Sequence, residues 1–177
     1  MRMDEVFDNP LHLTRNKQEE LTLAPYLNSI EVYDSVDFKS DIRFFLFKHQ
    51  NFWEVHFGDK ETDYSPEILG KYKGADASRI IATAIKLITE KFHQKRTPIR
   101  IFGPTEKTTR LYLKIAEKFL PDNARIDEVK NFRGIDGDVY PLAIVIRQSN
   151  GTFNPKTFYE HAPLPYRDWE TDRKSVV

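Results

Sequence analysis

Two side chains able to do acid–base chemistry alternate along the short segment NFWEVHF. Glu54 and His56 are two positions apart, so in a β-strand both point to the same face of the sheet. An imidazole beside a carboxylate can accept a proton from a substrate near neutral pH, directly or through water. An incidental Glu–His pair on a solvated sheet face would have the same spacing. The sequence therefore leaves both interpretations open.

A loop with glycines and lysines leads into the longest predicted helix. In GKYKGADASRIIATAIKLITEKF, residues 70–92, apolar side chains recur on one helical stripe, which contains Ile81, Ala84, Leu87, Ile88 and Phe92. A helix N-terminus presents unpaired N–H groups and the positive end of the helix dipole, which suits phosphate. Asp76 could instead cap the helix, and its carboxylate would repel a phosphate. The segment predicts either a phosphate site or a self-capped helix.

Composition removes several classes of function. The chain of 177 residues has no cysteine, which excludes disulfides, zinc–thiolate sites and thiol nucleophiles. Lys plus Arg and Asp plus Glu number 27 each, so a general polyanion-binding surface is not expected. The basic stretch Lys91–Arg100 lies at a predicted helix C-terminus, where cations are favourable without any nucleic acid. The histidines are scattered, and we predict no metal site.

The elements that must position these residues follow a mixed α/β pattern. Three strand-like runs, NSIEVYDSV, DIRFFLFKH and NFWEVHFG, predict an antiparallel meander with a tight HQN turn between the last two. The long helix, the short strand TPIRIFGP and a second helix capped by Thr105 come next, and ARIDEVKNF and DVYPLAIVIRQ predict two final strands. A short helix is predicted at TRNKQEEL. The fold class is α/β, a mixed and mostly antiparallel sheet with a central strand–helix–strand unit.

The predicted boundaries divide the chain into four parts. Residues 1–28 form an N-terminal arm, 29–148 the α/β domain, and 149–171 an extended, proline-containing C-terminal tail. Residues 172–177, DRKSVV, resemble the in-frame translation of a common sequencing adapter, and we expect them not to be native. The N-terminal segment lacks the basic-then-apolar pattern of a signal peptide, and no apolar run approaches the ~20 residues of a membrane span. A cytoplasmic location with no membrane partner is predicted.

Three segments carry a resemblance to a known family. FWEVHF, KYKGADASRI and RLYLKIAEKF, together with the order of elements over residues 30–148, resemble the GNAT N-acetyltransferase superfamily. The chain also looks like small phage-encoded proteins of that fold, which would place it in a host cytoplasm. The predicted elements lack the helix pair that the family usually has between its first strands, where the acceptor substrate binds.

The resemblance implies acetyl-coenzyme A as the cofactor. In the family, the pyrophosphate lies on backbone amides of the loop before the long helix. The matching loop residues are Lys71, Tyr72, Lys73, Gly74 and Ala75. The basic Arg79, in the first turns of the helix, is added to the expected cofactor site. Asp76 departs from the glycine or alanine that the family has at its position. The family also places a base on the strand of Glu54 and His56, and its late-helix tyrosine, matched by Tyr112, protonates the leaving thiolate.

Two functions of different classes follow from these residues. The first is an N-acetyltransferase for a small-molecule or protein amine, with Glu54 or His56 as base and Tyr112 as acid. The second is a non-catalytic GNAT-like protein that binds a protein partner through the tail segment TFYEHAPLPYRDW. Tyr112 also shares a helix face with Ala116 and Phe119, which would make it an ordinary core residue. The sequence does not decide between the two functions.

Overall fold

The computed structural model describes residues 9–36, 41–60, 72, 74–95, 97–134 and 137–148, without the side chains of residues 28 and 95. These residues form seven strands and three helices. In chain order they are β1 (Leu13–Arg15), α1 (Lys17–Leu23), β2 (Asn28–Ser35), β3 (Ile42–His49), β4 (Phe52–Asp59), α2 (Ala75–Lys95), β5 (Ile99–Phe102), α3 (Glu106–Ala116), β6 (Ala124–Arg133) and β7 (Val139–Gln148).

All seven strands belong to one mixed sheet, in the order β1-β2-β3-β4-β5-β7-β6. Neighbouring strands are antiparallel except β4 and β5, which are parallel. The helix α2 connects that parallel pair, because a parallel connection needs a crossover. The predicted α/β class, the antiparallel meander and the central strand–helix–strand unit are therefore confirmed.

The hairpin between β3 and β4 sets the register of the candidate residues. Its loop is Gln50 and Asn51, both in the left-handed region with φ of 52° and 67°, as a two-residue primed turn requires. The resulting register places Phe47 opposite Glu54 and Phe45 opposite His56. A one-residue slip would move Glu54 and His56 to the other face of the sheet, so this turn decides where they point.

The two faces of the sheet carry separate cores. The larger cluster lies under α2 and α3 and includes Leu46, Trp53, Ile88, Phe92, Ile99, Tyr112, Ile115 and Ile144. On the other face, α1 contributes Leu23 to a second cluster with Val32, Phe45 and Phe47. Side chains alternate along a strand. Trp53 therefore points toward α2 and α3, and Glu54 points to the opposite face.

A short strand near the start of the described residues belongs to the sheet. β1 pairs with β2 from Leu13 opposite Ser35 to Arg15 opposite Tyr33, so part of the predicted N-terminal arm is an edge strand. Sequence reasoning missed this strand, since three residues are too few to show a period. The short helix predicted beside it is α1, and the Asn16 side chain caps it by accepting from the Glu19 N–H at 3.0 Å.

The start of α3 agrees with the sequence prediction, whereas the start of α2 differs from it. Thr105 caps α3 as predicted, its side chain accepting the Thr108 N–H at 3.1 Å. The helix α2 begins at Ala75, so Asp76 lies inside the first turn and is not the cap residue. Gly74 precedes the helix with φ of 61°, a conformation that glycine adopts without steric cost.

Candidate functional site

A buried cluster of charged and polar side chains surrounds Glu54 on the face opposite α2 and α3. Arg100, on β5, donates from Nε to Glu54 Oε1, and its Nη2 forms an ion pair with the same oxygen. Its Nη2 also donates to His49 Nδ1 at 2.7 Å, and its Nη1 donates to Gln50 Oε1 at 3.2 Å. The cluster thus joins the β3–β4 hairpin to β5, and all three edges of the guanidinium are used.

Aromatic rings hold the same guanidinium from its faces. The guanidinium carbon of Arg100 is 4.5 Å from the ring centroid of Phe132 and 5.3 Å from that of Phe52. An arginine placed over aromatic rings gains cation–π attraction, which is larger when water is excluded. Arg100 is fixed both by hydrogen bonds in its plane and by rings beside it.

The two oxygens of Glu54 have different neighbours. Oε1 is held by Arg100, whereas Oε2 lies 3.5 Å from Nε2 of His56. Within the part of the chain that the structure describes, Oε2 accepts no hydrogen bond. The side chain of Glu54 is 1% exposed and that of His56 is 22% exposed. His56 is therefore the member of the Glu–His pair that solvent or a substrate can reach.

Protonation in this cluster follows from what each neighbour can do. Because Arg100 only donates, Nδ1 of His49 must accept, and the proton of the neutral ring is on Nε2. Burial is the largest single influence and would raise the pKa of Glu54, but the Arg100 charge together with the neighbouring His49 and His56 holds that pKa well below its usual range. Glu54 is consequently a permanent anion at neutral pH and a poor proton acceptor.

Tyr112 lies in a different part of the molecule from Glu54 and His56. It belongs to the cluster under α2 and α3 and is buried. Burial raises its pKa to about 12, so the phenol keeps its proton at neutral pH. Its ring packs against Gly103 at the end of β5, where an added Cβ would come within 3.0 Å of Cε2. The structure brings Glu54 and His56 together but places Tyr112 on the opposite side of the sheet.

The predicted cofactor loop is described only in part. Lys71 and Lys73 lie outside the described residues, whereas Tyr72, Gly74, Ala75 and Arg79 lie within them. The Tyr72 hydroxyl donates to Oδ2 of the buried Asp59 at 3.1 Å, which ties the loop to the end of β4. Arg79 Nε donates to the carbonyl of Asn9 at 3.0 Å. One donor of Arg79 is thus used by the N-terminal segment.

Two cations of the basic stretch Lys91–Arg100 are directed into the protein. Lys91 is buried, contacts the carboxylate of Glu31 and lies 4.8 Å over the ring of Trp53. Arg100 is buried against Glu54. These two charges therefore form contacts inside the protein.

Sequence reasoning missed Arg100, His49 and Gln50 as members of the site. Arg100 sits in the predicted strand TPIRIFGP, and a charged residue flanked by Ile99 and Ile101 in a central strand is itself a signal. Charged residues are almost never fully buried unless they are paired. That signal requires a partner but cannot name it, since Glu54 is 46 positions away.

Comparison of the chain with protein-family models, with curated proteins and with solved structures finds no match. In the described part of the chain, no cluster of histidine and acidic side chains is arranged to hold a metal ion. None of the described helices combines the length and the apolar character needed to cross a membrane.

Proposed function

We propose that this protein is an N-acyltransferase that uses acetyl-coenzyme A, of the type suggested by its resemblance to the GNAT superfamily. The observation that carries the proposal is the junction between β4 and β5. These parallel strands pair at one position among the described residues, Trp53 opposite Ile99, where the Trp53 N–H donates to the Pro98 carbonyl at 3.0 Å. Two antiparallel halves of the sheet meet at this point.

The junction offers backbone groups to an extended ligand. Backbone groups alternate in direction along a strand, so Val55 and Phe57 direct their N–H and C=O groups to the same edge as Trp53. The described β4–β5 pairing does not reach them. A strand edge of this kind binds extended chains that carry amides. The pantetheine arm of coenzyme A is such a chain.

Helix α2 begins near the same end of β4. Its early residue Ile80 packs with Ile42 and Phe57, near the end of β4, whereas its late residue Phe92 packs with Trp53, near the start. The N-terminus of α2 therefore lies beyond the end of β4, where a phosphate group would meet the N–H groups of the first turn. Gly74 and Ala75 would supply those groups in the proposed pyrophosphate site.

The proposed reaction is direct transfer of the acyl group to an amine. One proton of the acceptor ammonium passes to His56, and the freed nitrogen lone pair attacks the thioester carbonyl. The C–N bond forms and the C–S bond breaks, and the departing thiolate would take the second proton released from the nitrogen. His56 then returns its proton to water. The products are the N-acyl amine and coenzyme A with a free thiol.

A second candidate, a non-catalytic protein of similar fold, has its own support. Tyr112 lies on the opposite side of the sheet from Glu54 and His56, and Arg79 already donates to Asn9. Asp76 puts a carboxylate in the first turn of α2, where it competes with a phosphate. In this alternative the protein acts through its surface and the tail segment TFYEHAPLPYRDW.

A thermal-shift titration with acetyl-coenzyme A separates these candidates. Wild type is compared with Asp76→Ala and with Asp122→Ala, a control that removes an exposed carboxylate from the turn before β6. Ligand at ~100 times its dissociation constant stabilises a protein by about 2.7 kcal/mol. We expect a saturable rise in melting temperature in wild type and Asp122→Ala, and a larger one in Asp76→Ala.

A response in Asp76→Ala alone would favour the non-catalytic protein, and no response in any of the three would refute coenzyme binding. Turnover is then measured with a thiol reagent and a panel of amines. Because the chain has no cysteine, the reagent reports only the released coenzyme A.

A further inference from the structure

The cluster around Glu54 links a deeply buried arginine to a partly exposed imidazole. Arg100 contacts Glu54, His49 and Gln50 with its guanidinium nitrogens and is almost completely buried. It cannot reach a substrate itself. The Glu54 carboxylate, however, lies between Arg100 and His56. The Nε2 atom of His56 is 3.5 Å from Oε2 of that carboxylate.

We propose that Arg100 is a positioning residue for His56, and that His56, not Glu54, is the base of the reaction. Arg100 holds Oε1, which keeps the carboxylate charged and turns Oε2 toward the imidazole. The assignment of the base rests on the proposed acyltransferase function. The positioning of His56 by Arg100 and Glu54 is independent of it.

The geometry determines which ring nitrogen carries the proton. A carboxylate near Nε2 favours the tautomer that carries its proton there, which leaves the lone pair on Nδ1. Nδ1 would then take the proton from the acceptor ammonium, and the Glu54 charge would stabilise the imidazolium that forms. In many enzymes a neighbouring group orients the catalytic base in this way.

A guanidinium is suited to this role where an ammonium is not. The rigid fork of Arg100 contacts three partners at fixed angles, while the rings of Phe52 and Phe132 prevent it from tilting. A lysine would keep the charge but lose the fork. Arg100→Lys therefore tests positioning apart from charge.

The first test reads the ring nitrogens of His56 by ¹⁵N NMR at a pH where the imidazoles are neutral. His93 provides an internal reference, because its Nε2 lies 2.7 Å from the Phe119 carbonyl, which can only accept. In wild type we expect His56 to show the Nε2–H tautomer. In Glu54→Gln and Arg100→Lys the shifts should move toward the average of a freely exchanging ring, while those of His93 stay unchanged.

Arg110→Lys is the matched control, since Arg110 is exposed and pairs with Glu106 and Glu128. It should leave the His56 shifts at their wild-type values. An Nδ1–H tautomer in wild type, or identical His56 shifts in wild type, Glu54→Gln and Arg100→Lys, would overturn the positioning role. Arg100→Lys retains a buried cation beside Glu54, so the test remains decisive if Glu54→Gln does not fold.

The second test assigns the base by chemical rescue. We expect His56→Gly to lower kcat by about 10²–10⁴-fold with little change in KM, and added imidazole to restore part of the loss. A lack of rescue, together with a larger loss in Glu54→Gln, would make Glu54 the base and refute the assignment. If the NMR shifts behave as expected but no amine is acylated, the proposed function is wrong and the positioning role stands.

Discussion

At the residue scale, the most consequential pair in this protein is Glu54 with Arg100. Both are almost completely buried, and each is acceptable in the interior only because the other neutralises it. A buried ion pair adds little net stability compared with apolar residues of the same size, but the loss of one partner leaves an uncompensated charge. This asymmetry makes single and double substitutions behave very differently.

We predict that Glu54→Gln lowers the free energy of unfolding by about 3–5 kcal/mol at neutral pH. The double variant Glu54→Gln with Arg100→Met should lose much less than the sum of the two single variants, since neither charge is then stranded. Urea unfolding of wild type, the two single variants and the double variant gives the coupling energy between Glu54 and Arg100. Arg110→Met, which breaks an exposed pair, should cost less than about 1 kcal/mol. If the stability losses of the two single variants sum to the loss of the double variant, the prediction is contradicted.

The same pair predicts an acid-sensitive part of the stability. Arg100 holds the folded-state pKa of Glu54 well below its usual range, whereas an unfolded glutamate titrates near about 4.3. The stabilisation is therefore fully present above that value and declines as pH falls toward the folded-state pKa. The stability gap between wild type and Glu54→Gln should shrink between about pH 5 and about pH 3 in urea unfolding. A constant gap would show that the folded-state pKa is not depressed.

At the element scale, the start of α3 is fixed by close contacts with the end of β5. Thr105 caps the helix, and Thr109, one turn later, accepts the Gly103 N–H at 2.8 Å. Gly103 has little room, because a Cβ there would lie 2.8 Å from Thr108 Cγ2 and 3.0 Å from Tyr112 Cε2. The glycine thus allows α3 to bring Tyr112 against the strand.

We predict that Gly103→Ala destabilises the protein by about 1–3 kcal/mol, because overpacking moves the neighbouring side chains. Thr108→Ser removes the closest methyl group, so Gly103→Ala should cost measurably less in that background. Thermal and urea unfolding of wild type, the two single variants and the double variant tests this. Equal costs in both backgrounds would show that contact with the Thr108 methyl is not what opposes the alanine.

At the scale of the whole molecule, α2 and α3 join the two halves of the sheet. Among the described residues, β4 and β5 share only the Trp53–Ile99 position, so strand pairing contributes little at this junction. The cluster under the helices instead spans it, with Leu46 and Trp53 on one side and Ile101 and Ile144 on the other. Phe92 of α2 is buried in the same cluster. We therefore expect helix packing to make the two halves unfold as one cooperative unit.

Phe92→Ala is expected to lower the free energy of unfolding by about 3–5 kcal/mol. Far-UV and near-UV circular dichroism should still report one coincident transition, because the cluster is shared by both halves. Leu21→Ala, at a side chain that is 77% exposed on α1, should change stability by less than about 0.5 kcal/mol. Separate transitions in wild type would show that the halves unfold independently.

The sequence by itself determined most of the elements and the pairing of Glu54 with His56. Strands such as NFWEVHF and the helix after Gly74 follow from local periodicity, and the Thr105 cap and the Gln50–Asn51 turn follow from local backbone chemistry. These features depend on residues only a few positions apart. Local reasoning allowed Asp76 to be the cap of the long helix, whereas that helix begins at Ala75, because helix ends are set by a balance of small terms.

Only the tertiary structure decided what Glu54 can do. Its charge depends on Arg100, which lies 46 positions away, and its face depends on a register that the hairpin and the core fix together. Tyr112 shows the same dependence. Its spacing in the sequence allowed both a core position and a position near Glu54, and the packing of α3 against Gly103 places it in the core. Protonation state is set by distance and burial in three dimensions, and these quantities are not encoded in the spacing of residues along the chain.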